Sequence, residues 1–215
     1  DANPLADVRR LRQAERESRV LTFEEERRLL EVGSPSDRAF VIAGLDTLLR
    51  LGSLLSLKWE QVKLETRTIV VLNAKVSTTP KPISSRLFAA LRDLPRTGPY
   101  VFGQFYPTTA TGSSSPKNRA TRRFDALCEL AQVPHGRAVN GITIHTLRHT
   151  GATRALQAGA SVRTVMDLGG WTNAATVMRY LHASDRDVRD AAESIAGSDQ
   201  CGPVERSAVP RKFTT

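Results

Sequence analysis

The 215-residue chain carries 31 lysines and arginines against 22 aspartates and glutamates, a formal charge of +9, with 40% apolar residues. That balance is globular rather than disordered or fibrous, and no run of the roughly 18 apolar residues that a membrane helix needs occurs. The first ten residues hold no apolar segment of the secretory type, and Cys128 and Cys201 form neither a disulfide framework nor, with the histidines, a zinc-ligand spacing, so a reduced cytoplasmic setting without metal is expected.

Thr22-Phe23-Glu24-Glu25 has the form of a capping box, and Leu29 and Leu30 give the apolar face of a helix ending near Gly33-Ser34-Pro35. Asp37 is the expected N-cap of a second helix, in which Phe40, Val41, Ile42, Leu45, Leu48 and Leu49 recur at helical spacing. After a break near Leu51-Gly52, Ser53–Leu57 reads as a short helical stretch ending at Trp59. Thr68–Leu72 is β-branched and strand-like, and the polar, proline-containing stretch Lys75–Pro82 reads as a hairpin loop or the return of a small sheet. A helix is predicted over Ser84–Leu94, then a long, mobile surface loop over 95–118, rich in Gly, Pro, Ser and Thr. An amphipathic helix over 119–132 carries Arg119, Arg122 and Arg123 on its early turns. From Ile142 the chain is helical with short breaks: Thr146–Ala158 closed by Gly159, Val162–Leu168 capped by Ser161, Ala174–Leu181 capped by Asn173, and Asp185–Ala196 before a tail without periodicity. The expected class is mainly α with one small antiparallel sheet near residues 66–84, an α+β fold.

The charge is concentrated. Residues 41–123 hold 13 basic and 4 acidic side chains, an excess equal to that of the whole chain. Such a localised basic field is the footprint of a polyanion partner. Within Ile142–Tyr180, His145 and Arg148 stand three apart at a helix start, so their side chains share a face where backbone N–H groups and the helix dipole favour an anion. Arginine offers a two-pronged contact to a phosphodiester and neutral histidine adds a hydrogen bond. Tyr180 is a poor nucleophile as a phenol, but neighbouring arginines would favour its phenolate and neutralise the phosphate it attacks.

His145-Thr146-Leu147-Arg148-His149, Leu168-Gly169-Gly170-Trp171 and Met178-Arg179-Tyr180 together resemble the C-terminal half of the tyrosine recombinase (phage integrase) catalytic domain. Upstream, Thr47–Trp59 resembles the first arginine box of that family, and Asn73-Ala74-Lys75-Val76-Ser77 the hairpin that carries its lysine. The resemblance spans roughly residues 20–184 and implies a cofactor-free site of Arg50, Lys75, His145, Arg148, Trp171 and Tyr180. Tyr180 would form a 3′-phosphotyrosyl bond and free a 5′-hydroxyl, Arg50 and Arg148 would clamp the non-bridging oxygens, and His145 would assist proton transfer. Trp171 stands where many relatives have histidine; its indole donates a hydrogen bond but cannot act as a base. Lys75, or Lys81 in the same loop, would protonate the leaving 5′-oxygen, and Lys81, Arg119, Arg122 and Arg123 are expected to touch DNA. His149 and His182 are expected behind the site, and His135 has no assigned role. Leu48 replaces a glycine and Ser53 an acidic residue of the family pattern.

The resemblance further implies residues 1–20 as a linker remnant, 21–184 as the catalytic domain, and 185–215 as a C-terminal helix and tail that docks either on a partner protomer or on its own domain. The implied partner is double-stranded DNA, bound by a homotetramer that is monomeric when free, with no membrane. A type IB-like topoisomerase and a non-catalytic DNA-binding relative are the rival readings.

Overall fold

The computed structural model describes residues 19–71, 80–106, 115–136 and 138–180. Helix α1 (Phe23–Val32) opens on the expected capping box: the Thr22 hydroxyl accepts from the Glu25 amide at 3.1 Å, and the Glu25 carboxylate accepts from the Thr22 amide at 3.0 Å. Helix α2 (Pro35–Asp46) starts before its predicted cap. Ser34 is the N-cap, Pro35 takes the first helical position, where a missing N–H costs nothing, and Asp37 is the reciprocal partner of Ser34. Residues 39–45 of α2 are buried on every side, which makes it the central helix.

Helix α3 (Leu51–Leu55) follows a turn in which Leu48 adopts a left-handed backbone, φ 52°. Strands β1 (Val62–Lys63), β2 (Thr68–Val70) and β3 (Pro80–Pro82) form an antiparallel sheet in that order, with Ile69 opposite both Val62 and Lys81. At the edge of this sheet β3 can carry two prolines, which have no N–H to offer a further neighbour. Helix α4 (Ser85–Arg92), capped by Ser84, packs on α2, and α5 (Pro116–Leu130) packs on α1 and α3.

Within the predicted surface loop 95–118, residues 95–99 are exposed as expected and 107–114 lie outside the described residues, but residues 101–105 correct the sequence reading. Val101, Phe102 and Phe105 are buried, and the last two rings sit edge-on to Phe40 at 5.3 and 4.9 Å. Pro116, Lys117 and Asn118 already belong to α5. Three apolar residues among glycines and prolines have no period, so composition alone read a core segment as surface.

Helix α6 (Ile144–Gln157) crosses α2 closely: Gly44 lies against Leu147, and a Cβ on Gly151 would collide with the Leu45 carbonyl. Helices α7 (Val162–Gly169) and α8 (Ala174–Met178) complete a second apolar cluster of Leu48, Ala152, Leu156, Val165, Val177 and Tyr180. Helix α8 is shorter than predicted, which leaves Tyr180 in the turn behind it. Lys75, His182, Cys201 and the expected helix Asp185–Ala196 lie outside the described residues.

Candidate active site

Arg50 is the N-cap of α3 and is exposed. His145 and Arg148 lie on the first turns of α6, capped by Thr143; His145 is exposed, whereas Arg148 is only 3% exposed. The backbone before Arg50 explains how Arg148 is held. Leu48, standing where the family pattern has glycine, takes the left-handed conformation that glycine favours, and its carbonyl accepts from Nη1 of Arg148. Among the described residues, Nη2 of Arg148 is buried without a hydrogen-bond partner. Burial, and then the nearby Arg50 charge, pushes the Arg148 pKa down to about 10, which still leaves a cation at neutral pH.

Trp171 follows Gly170, which closes α7 in the left-handed conformation at φ 67°. Its indole lies on Gly169, where any Cβ would collide with the ring, and the Arg148 guanidinium stacks over it at 3.8 Å from the ring centre. Tyr180 is 8% exposed, with its ring 5.9 Å from Trp171 and 4.9 Å from His149. Burial raises its pKa above 10.0, although Arg148 and Arg179 pull it down. The arginines favour the phenolate as the sequence suggests, but desolvation outweighs them. His149 makes edge contacts with both Tyr180 and His145, the latter at 4.4 Å, and burial first, then neighbouring charge, lowers its pKa to about 4. The sequence reading placed it behind the site; its direct ring contact with Tyr180 required the tertiary fold.

The structure thus gathers Arg50, His145, Arg148, Trp171 and Tyr180. The other predicted residues are distributed differently. Lys81 is a strand residue, 8% exposed, whose ammonium donates to the carbonyls of Asp167 (3.2 Å) and Leu168, so it is turned into the protein and not toward a solvent-borne partner. Arg123 is paired with Asp37 at 2.9 Å and joins α5 to the start of α2. Arg119 donates to the Phe105 carbonyl at 2.7 Å, and Arg122 is exposed. Among the described residues no cluster of three metal-ligating side chains occurs.

Two guanidinium groups, an imidazole and a helix start beside a phenol make a site for an oxyanion with a nucleophile at hand, carried on a mainly helical domain. The chain belongs to the phage integrase family, whose pattern matches residues 19–187. It is 28% identical over 202 residues to a tyrosine recombinase of Pseudothermotoga lettingae, with 89% of this chain and 65% of the relative covered. It is 29% identical over 187 residues to tyrosine recombinase XerC of Xanthomonas axonopodis pv. citri, covering 84% and 59%. The chain therefore spans about three fifths of the length of these curated relatives. Its fold is that of the XerA recombinase (TM-score 0.63, 22% identity, 84% of this chain and 66% of that one). The catalytic domain of bacteriophage HP1 integrase shares it (TM-score 0.58, 22% identity, 84% and 96%). So does the Tn1549 transposon integrase in complex with transposon right-end DNA (TM-score 0.63, 20% identity, 86% and 68%).

Proposed function

We propose that residues 21–184 are the catalytic domain of a site-specific recombinase that breaks and rejoins double-stranded DNA through Tyr180. The observation that carries this reading is the buried, unpartnered Nη2 of Arg148, on a guanidinium stacked over Trp171 beside the Tyr180 ring. A buried donor without a partner is costly unless a ligand satisfies it, and a phosphodiester oxygen supplies the matching acceptor.

Arg50 and Arg148 then hold the two non-bridging oxygens of the scissile phosphate. Tyr180 Oη attacks phosphorus, its proton passing to His145, while the bond from phosphorus to the 5′-oxygen breaks and Lys75 gives that oxygen a proton. The products are a 3′-phosphotyrosyl bond and a free 5′-hydroxyl. Attack by a 5′-hydroxyl on the same phosphorus reverses the step, so rejoining needs no added energy source. The Arg148 charge is worth most here, because its guanidinium is withdrawn from water. The raised Tyr180 pKa means that proton removal must accompany attack, which gives His145 its role. Binding of double-stranded DNA by four copies, a linker role for residues 1–20 and docking of residues 185–215 on a neighbour complete the reading. No described helix is long and apolar enough to cross a membrane.

A nicked suicide substrate carrying the cognate site tests the reading. A covalent protein–DNA adduct on a denaturing gel is expected, and Tyr180→Phe, which removes only the hydroxyl, should abolish it. An adduct that survives Tyr180→Phe refutes the assignment. Relaxation of supercoiled plasmid without sequence preference would make the chain a topoisomerase, and binding without any adduct a non-catalytic relative.

A further inference from the structure

The C-terminal end of α7 has unusually complete partners. The Met166 carbonyl accepts from the amides of Gly170 and Trp171, and the Asp167 and Leu168 carbonyls accept from the Lys81 ammonium. Carbonyls at a helix end otherwise lack intrahelical donors, and the helix dipole there favours a cation. Lys81 reaches this end from the edge strand β3, opposite Ile69, with its own side chain buried. Directly beyond the two carbonyls come Gly169 and Gly170, then the indole that lies on Gly169 and carries the Arg148 guanidinium. Lys81 also feels the Arg148 charge, which together with burial lowers its pKa from 10.5 while Asp167 opposes them.

We infer that Lys81 is a positioning residue: from β3 it closes the end of α7 and fixes the turn that sets Trp171 against Arg148. This rests on the reading above, in which Arg148 grips the scissile phosphate, and gives the sheet a part in it. A lysine sent out to DNA would make its contribution through affinity. A lysine that caps α7 acts on the geometry of Trp171 and Arg148, so its loss falls on the rate of cleavage at saturating DNA.

In a Trp59→Phe background, Trp171 is the single tryptophan of the full chain. Lys81→Met is expected to raise acrylamide quenching of Trp171 about threefold and to slow single-turnover cleavage about tenfold at saturating DNA, below the ~10²-fold that a 1 Å misplacement can cost. The dissociation constant for DNA should stay within about twofold, and Lys81→Arg, which keeps the cation, should restore both quenching and rate. Unchanged quenching in Lys81→Met overturns the inference, as does a defect confined to DNA affinity. Should Lys81→Met fail to fold, Lys81→Arg decides: shielded Trp171 with normal cleavage supports the cap, and cleavage lost with Trp171 still shielded overturns it. Quenching needs no DNA, so an unsubstituted chain that forms no adduct would refute the recombinase reading and leave the cap to be decided by fluorescence.

Discussion

His149 sits between His145 and Tyr180, and its half-buried ring resists a proton until about pH 4, against an ordinary 6.5. The unfolded chain takes up that proton as pH falls through 6.5, whereas the folded chain refuses it until about 4. Stability is therefore full above pH 6.5 and declines as pH drops through this window. Full conversion of the gap would be about 3 kcal/mol, and the ring's partial exposure brings the expectation to about 1–2 kcal/mol. His149→Phe keeps an aromatic ring and removes the titration, so the unfolding free energy from urea melts should fall less between pH 6.5 and 4 than in the parent. Parallel curves for the two proteins would rule this out. That Arg50, His145, Arg148, Trp171 and Tyr180 come together was legible in the family resemblance of their motifs, but protonation states were not. Tyr180 packs in one cluster with Leu48, far away in sequence, and that burial decides its pKa against the arginines. The place of Leu48 in a glycine position was also visible; that its left-handed backbone, at a cost of about 1–2 kcal/mol, presents a carbonyl to Arg148 required the fold.

Elements were legible wherever the signal was local. The caps at Thr22, Ser161 and Asn173 stand where hydroxyl or amide side chains precede helical spacing. Ser34 and Asp37 are both cap residues by type, and only the reciprocal bonds show that the serine leads. Strand β3 was ambiguous because its two prolines argue against a sheet unless the strand is at an edge. Close helix contact left less trace in sequence. Gly151 lies inside α6, where alanine would ordinarily favour the helix by about 1 kcal/mol. Its added methyl, however, would strike the Leu45 carbonyl and the Leu48 side chain, and backbone cannot yield as a side-chain tip can. Overpacking of this kind costs about 1–3 kcal/mol, with direct collision against backbone at the upper end. Gly151→Ala is therefore expected to destabilise the domain by about 2 kcal/mol, read as a lower urea midpoint with an unchanged slope. A midpoint equal to or above that of the parent would show that α2 and α6 can separate without cost.

At the scale of the whole molecule, the basic block of residues 41–123 is less free than its +9 suggests. Arg86 is held by Asp46 and Glu26, Arg123 by Asp37, and Arg92 by Asp93. Glu26 and Asp37 lie outside the block in sequence, so part of its excess is matched by carboxylates that a segment count assigns elsewhere. Asp37 illustrates the coupling: burial works to raise its pKa, but the Arg123 and Ser34 hydrogen bonds outweigh it and leave the carboxylate below its usual 3.8. Charges committed in this way release no counterions when DNA arrives. If all nine net charges met phosphates, the logarithm of the binding constant would fall against that of salt with a slope of about −8; with Glu26 and Asp37 matching two of them and Lys81 turned into the protein, about six remain and the slope is about −5. Titrations of labelled duplex between low and physiological salt should give the shallower value. Arg122→Gln, at an exposed arginine on α5, should reduce the slope by about 1, whereas Arg123→Gln should leave the slope alone and lower the melting temperature. A slope near −8, or an Arg123→Gln slope that drops with no loss of stability, would mean that the ion pairs open on DNA and that the whole basic block belongs to the interface.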